Sequence, residues 1–382
     1  MNREHMKCLR KKILCCFFFL LFFSFLFTGC SDMVEIEDRD FVQALGIAVS
    51  QGELKVSYGL PDVSALTGQP AMKGDKLFVS FSGKNFNDIE EQYGYNSEKK
   101  LDYNHLQAII FEASAIQNPQ YMKNVLLYIE ENYDIARNTK AFVTTSLVED
   151  VLKLDETMSG SVGDYLESYY KNNRSKHLKE ECTIGDLITA MNNKDQVIHI
   201  PILTIQNKRF KVDGIGIFDG ETCECKEYMS EEESKYLYLA DGKVKEISVA
   251  LADGYAIRIN DVKTKYTYSL KNNIPYIHLD LNGEAKLVDY DVNVTNISDK
   301  SKRLNKTMIE KQVNNQIKNI LNGYFKSYVK DKNIDFLNLY RESGIRSRTI
   351  WLRYRNNQKA FLEDADFNVG VKIDLDHNIF DK

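Results

Sequence analysis

His105-Leu106-Gln107-Ala108-Ile109-Ile110-Phe111 is the stretch that decides the fold of this 382-residue chain. Its unbroken apolar end predicts a buried strand. Asn118-Pro119 follows as a helix start, an N-cap residue with Pro at the first helical position, and apolar residues then recur at three- and four-residue spacing to Ile129. Residues 141–145 read as the next strand. Strand, helix and strand with short links predict a βαβ unit and a partly parallel sheet.

The sequence on either side extends this unit into an N-terminal α/β domain with a mixed sheet. Strands are predicted at 41–49, 53–60 and 76–82, with a Gln51-Gly52 hairpin turn between the first two. Helices are predicted at 148–154 and 184–191. Helix-rich sequence gives way to strand-rich sequence near residues 195–210. We therefore expect this domain to cover residues 30–200.

From Pro201 onward strands dominate. Strand-length runs occur at 212–218, 255–260, 265–270, 276–281 and 286–296, and a short helix starts at Ser230. One long amphipathic helix from Leu304 to Tyr328 and a last, alternating strand at 367–375 follow. The expected fold class is therefore α/β (α+β), with a strand-rich C-terminal domain at 201–382. A split of that domain into two modules near residue 275 is the alternative.

Residues 1–29 are predicted to be a signal peptide. Five basic residues precede an apolar run from Ile13 to Phe27, which is shorter than a spanning helix needs. The run closes with Phe27-Thr28-Gly29-Cys30, which is similar to the lipobox of bacterial lipoproteins, although Phe27 stands where Leu is usual. Cys30 is therefore the predicted lipidation site. An uncleaved N-terminal anchor is the alternative, and either form tethers the chain to the outer side of a membrane.

No catalytic, cofactor-binding or metal site is predicted. The six histidines are scattered, and neither a Walker-type loop nor a His-Glu-x-x-His motif occurs. Gly214-Ile215-Gly216 lacks the third glycine of a dinucleotide fingerprint. Cys182, Cys223 and Cys225 are an odd number of thiols and are interpreted as incidental. An enzyme is therefore not expected.

Charge is distributed unevenly along the chain. Residues 300–360 hold fifteen Lys or Arg and four acidic residues, a net charge of +11. The rest of the chain after residue 29 then carries −20. This segment could face anionic lipid or an acidic partner, with Lys306, Lys311, Lys318 and Lys326 as the predicted contact face. A solvated basic surface is the alternative, and nucleic acid is disfavoured by the export signal.

Several of these patterns occur together and in order. They are the lipobox, the acidic stem after Cys30, the run from Val42 to Val49, and the strand that begins at His105-Leu106. Further along come Ala136-Arg137 to Val143, Gly214 to Phe218, Asp335 and Trp351. The chain thereby resembles the Ger(x)C lipoproteins, the C subunits of nutrient germinant receptors in endospore-forming bacteria. It departs from many members in having Ser31, where they place Trp after the lipidated Cys.

The resemblance implies a non-enzymatic subunit that works with A-type and B-type membrane subunits in the spore inner membrane. Such receptors respond to small nutrients such as amino acids, sugars or nucleosides. The family fold is similar to three α/β modules in a row. Two alternative functions are a solute-binding lipoprotein of a transporter, which would need two similar lobes around a cleft, and an exported hydrolase.

Overall fold

The computed structural model describes residues 38–60, 78–154, 181–242, 246–251, 255–290 and 306–376, together with residues 35, 162, 163, 165, 166, 168 and 244. Its strands in the N-terminal part are β1 (Arg39–Phe41), β2 (Ala44–Ser50), β3 (Glu53–Gly59), β4 (Phe78–Gly83), β5 (Lys100–Asp102), β6 (Ala108–Glu112) and β7 (Lys140–Thr144). The remaining strands are β8 (Val197–Gln206), β9 (Arg209–Asp219), β10 (Glu224–Met229), β11 (Glu246–Ala250), β12 (Tyr255–Lys271), β13 (Ile274–Tyr290) and β14 (Asp366–Leu375).

Most helices either connect the parallel strands along the chain or pack around the C-terminal sheet. They are α1 (Phe86–Asn96), α2 (Ala113–Ile116), α3 (Pro119–Glu131), α4 (Val148–Lys153), α5 (Ile184–Asn193), α6 (Glu231–Asp241), α7 (Lys306–Tyr324), α8 (Leu339–Arg346), α9 (Arg348–Tyr354) and α10 (Gln358–Asp364). A π-helical segment, Phe325–Asp331, continues α7.

Eight strands form the larger sheet, in the order β10-β9-β8-β7-β6-β2-β3-β4. The four central strands β2, β6, β7 and β8 are mutually parallel, and the strands outside them pair antiparallel. The predicted βαβ unit is confirmed as β6, α3 and β7. Apolar side chains from α1, α3 and α5 pack on one face of this sheet, and those of α4 pack on the other. A short parallel pair, β1 with β5, forms a further sheet.

The smaller sheet has four strands in the order β11-β12-β13-β14. The predicted strands at 255–260 and 265–270 are one strand, β12, with an irregularity between Asn260 and Lys263 where Asp261 has a φ of 50°. Strand β12 pairs antiparallel with β13 on both sides of this irregularity, and so remains one strand. Residues 291–296, the end of another predicted strand, lie outside the described residues. Helices α6 to α10 pack on one face of this sheet.

The predicted division between residues 200 and 201 falls inside β8. Strand β8 pairs in parallel with β7 at Val143 and Ile202, and antiparallel with β9 along its length. Strands β8 to β10 therefore extend the N-terminal sheet across that position. The two sheets differ in strand number and order, and such dissimilar units do not form the matched lobes of a solute-binding protein.

Candidate functional site

Helix α7 is held firmly on the smaller sheet. Its buried side chains recur every four residues and contribute to the C-terminal core: Ile309, Val313, Ile317 and Leu321. The side chain of Asn314 accepts the Ile373 N–H at 2.8 Å and donates to the Ile373 carbonyl at 3.4 Å. One turn away, Glu310 accepts the Leu375 N–H at 2.9 Å. These bonds fix the rotation of α7 about its axis.

That rotation places the four predicted lysines differently. Lys311 and Lys318 are exposed and lie seven residues apart, hence on the same side of the helix. Lys326 is exposed on the π-helical segment that follows. Lys306 is half-buried, and its Nζ lies 3.7 Å from a carboxylate oxygen of Glu310. The structure brings three of the four to an outer surface.

The turn after α7 is built around a buried carboxyl group. Asp335 is 2% exposed and accepts the N–H groups of Leu339 at 2.7 Å and Tyr340 at 2.8 Å. These two groups belong to the first turn of α8, where backbone donors lack helical partners. Burial raises the pKa of Asp335 to about 6, although the backbone donors act in the opposite direction. Asp335 thus sets where α8 begins.

Two side chains join this turn to the larger sheet. Asn338 accepts the Val197 N–H at 2.6 Å and donates to the Val197 carbonyl at 2.9 Å. His199 is 4% exposed, and its Nε2 donates to the Phe336 carbonyl at 2.8 Å. Asn338 has a φ of 55°, a conformation that Asn tolerates better than most residues. Helix α8 therefore starts beside the first residue of β8.

Helices α8 and α9 form a surface, here called the arginine surface, that carries both exposed apolar side chains and arginines. Ile345, Trp351 and Leu352 are 69%, 40% and 57% exposed. Trp351 lies across α8, because a Cβ on Gly344 would come within 2.8 Å of its ring. The same stretch carries five arginines, of which all but Arg341 are exposed: Arg341, Arg346, Arg348, Arg353 and Arg355. A cluster of large exposed apolar groups is typical of an interaction surface.

Only one of these arginines forms an ion pair within the described part of the chain: Arg346, whose Nε lies 3.0 Å from Glu342. The sequence indicates the arginines but not the exposed apolar side chains of the same helices, since helices of seven or eight residues give too short a periodic pattern to detect. Trp351, which is the only tryptophan in the chain, is the residue that could have signalled them.

Three thiols of the described residues are buried, and no disulfide joins them to one another: Cys182, Cys223 and Cys225. Burial raises the pKa of the Cys225 thiol to about 12 and also raises that of Cys223. Thiols with raised pKa values are weak nucleophiles at neutral pH. Among the described residues, no group of three or more His, Cys, Asp or Glu side chains is placed to hold a metal ion.

Cys30, the predicted lipidation site, lies outside the described residues, as does the predicted signal peptide. Within the described residues, no helix has both the length and the apolar composition that crossing a bilayer requires.

Two family models match the sequence. The model of the spore germination protein N-terminal domain matches residues 32–205, and the spore germination B3/GerAC-like C-terminal model matches residues 213–378. The chain therefore belongs to the GerAC-like family of spore germination proteins. The resemblance inferred from the ordered sequence patterns is confirmed.

The fold is also similar to one solved structure, the crystal structure of the GerBC protein. The two chains share 15% sequence identity and superpose with a TM-score of 0.58. The match covers 90% of this chain and 99% of the GerBC chain. The mixed α/β architecture is therefore shared along nearly the whole length. A search of curated proteins gave no match.

Proposed function

We propose that the chain is the C subunit of a nutrient germinant receptor. In this role it is a non-catalytic assembly and signalling subunit, required for triggering germination, that works beside A-type and B-type membrane subunits at the outer face of the spore inner membrane. The observation that carries the proposal is the ordered match of both family models, which together span residues 32–378 with a short gap.

Acylation of Cys30 is the proposed means of attachment. The basic start, the short apolar run and the small residues before Cys30 support export followed by lipidation. Each buried CH₂ of an acyl chain contributes about 0.8 kcal/mol, so a multiply acylated cysteine holds a protein firmly to a bilayer. The folded part of the chain then needs no spanning helix of its own to stay at the membrane.

Replacing Cys30 with Ala tests this proposal in spores. We expect the variant to move from the membrane fraction to the soluble fraction and to impair germination in response to nutrients, because the acyl group is its main attachment. Immunoblotting of fractionated spores measures the first effect, and the optical density of spore suspensions measures the second.

Cys182→Ala is the matched control, since it removes a buried thiol and leaves Cys30 in place. It should retain both membrane association and germination. Unchanged fractionation and germination in the Cys30 variant would contradict the proposal.

A further inference from the structure

We propose that the arginine surface binds an anionic lipid bilayer directly, as a second attachment beside the acyl group. Its chemistry fits that partner. Between Arg341 and Lys359 the chain holds six cationic side chains and one acidic one, Glu342. Tryptophan and large aliphatic groups favour the boundary between headgroups and acyl chains, and arginines near them attract anionic headgroups.

The position of the surface in the fold supports the same partner. Strands β2, β6, β7 and β8 are parallel neighbours, so their first residues lie at one edge of the larger sheet. Helix α8 starts at this edge through the bonds of Asn338 to Val197, the first residue of β8. Strand β2 starts at Ala44 on the same edge, and three strand spacings separate it from β8, about 14 Å.

The segment from Cys30 to Arg39, here called the tether, is long enough for both attachments to reach one bilayer. Nine chain steps lead from Cys30 to Arg39, and they span at most about 30 Å. An acylated Cys30 and the arginine surface can therefore engage one membrane together. This geometric step rests on the proposed function, whereas the affinity of the arginine surface for lipid does not.

The charge of the rest of the chain favours one orientation. Residues 300–360 carry +11 and the remainder after residue 29 carries −20. An anionic bilayer repels the remainder and attracts the C-terminal helices, so approach through the arginine surface is favoured. An acidic protein would also be attracted to the arginines, and the vesicle test below distinguishes that partner from a bilayer.

The test uses the processed chain, residues 30–382, with Cys30→Ala so that no acyl group contributes. Every apolar core residue of the described structure lies between Val42 and Leu375, so this chain retains all three core clusters. Because Trp351 is the only tryptophan, its fluorescence reports on the arginine surface alone. Vesicles of phosphatidylcholine with roughly one third phosphatidylglycerol should shift its emission to the blue and carry the protein into the pellet.

We expect the vesicle partition coefficient to fall about fivefold when any one of three arginines is replaced: Arg348→Ala, Arg353→Ala or Arg355→Ala. The triple variant should lower it on the order of a hundredfold. Leu352→Ser, at an exposed position, should lower it separately without disturbing the core. The matched control replaces Lys263, Lys265 and Lys271 with Ala, three exposed residues of β12 on the outer face of the smaller sheet. We expect this control to bind as the parent does.

Equal binding to pure phosphatidylcholine would overturn the inference, as would binding that the arginine variants leave unchanged. Absence of any Trp351 shift with the anionic vesicles would overturn it too, and would assign the surface to a protein partner instead. None of these outcomes affects the anchor at Cys30, because that anchor is tested by fractionation and germination of spores.

Discussion

At the scale of single residues, Asp335 stands out as a buried carboxyl group with which no Lys or Arg among the described residues forms an ion pair. Two backbone N–H groups hold it, and burial still raises its pKa from 3.8 to about 6. The folded chain therefore binds a proton at Asp335 more readily than the unfolded chain does. Above pH 6 the buried charge costs stability, and that cost disappears as the pH falls towards the unfolded-state pKa.

We expect the contribution of Asp335 to the free energy of unfolding to rise by about 1 kcal/mol between pH 7.5 and pH 5.5. In Asp335→Asn this contribution is absent, since the amide does not titrate. Urea unfolding of parent and variant at both pH values measures the difference between their pH dependences.

Asp331→Asn is the matched control, because Asp331 is exposed four residues earlier. It should follow the pH dependence of the parent. Parallel curves for the parent and Asp335→Asn would show that this carboxyl titrates as it does in water.

At the scale of elements, α7 illustrates how a helix acquires a defined outer face. The bonds from Asn314 to the backbone of Ile373 set the rotation, and the buried stripe centred on Ile317 is packed against the smaller sheet. With this rotation fixed, Lys311 and Lys318 lie on the exposed side of α7. We propose that this lysine side contacts the membrane or a partner subunit.

Charge reversal at Lys311, Lys318 and Lys326 should reduce recovery of the A-type and B-type subunits with the tagged chain by at least about tenfold, because like charges then face each other across the contact. Co-purification from detergent-solubilised spore membranes measures the recovery of these subunits. Reversal at Lys263, Lys265 and Lys271 on β12 changes the net charge equally and serves as the control. Intact recovery would favour the interpretation that the lysine side is a solvated surface.

Lys306 behaves differently from the other three lysines. It lies against Glu310 and is half-buried, so its charge is partly compensated within α7 itself. An ion pair between residues four apart on a helix contributes little to stability, about 0.3–0.5 kcal/mol. Its reversal should therefore affect subunit recovery least of the four.

At the scale of the whole molecule, the strands β8 to β10 belong to both halves. Ile215, Ile217 and Met229 join the core beneath α6 and α7, whereas Ile200 and Phe218 join the core of the larger sheet. Alternate residues of one strand face opposite sides, so a single piece of chain completes two cores. Unfolding either half exposes apolar surface of the other.

We therefore expect the chain to unfold in one cooperative transition, although its length would allow two domains to unfold separately. Fluorescence of Trp351 follows the C-terminal helices, and far-ultraviolet circular dichroism follows the whole chain. The two probes should give the same urea midpoint and slope within error. A fluorescence transition that precedes the circular dichroism transition would show that the C-terminal part unfolds independently.

The sequence indicated local structure well where the periodic patterns were long. The βαβ unit, the capping of α6 by Ser230 and the single long helix followed from residue spacing alone, because helix and strand impose different periods on apolar side chains. The family was also recognisable from ordered patterns. Helices α8 to α10 escaped detection because each is only two turns long.

The sequence by itself thus indicated the longer helices and strands, the charge asymmetry and the predicted export signal, since these depend on residues close together in the chain. Only the tertiary structure decided that β8 continues the first sheet, that Lys306 lies half-buried beside Glu310, and that Trp351 packs across Gly344 of α8. The position of β8 depends on partners far away in the chain, such as Asn338 with Val197, 141 residues apart. A periodic pattern shows that a side chain will be buried or exposed, but only packing determines which neighbours it meets.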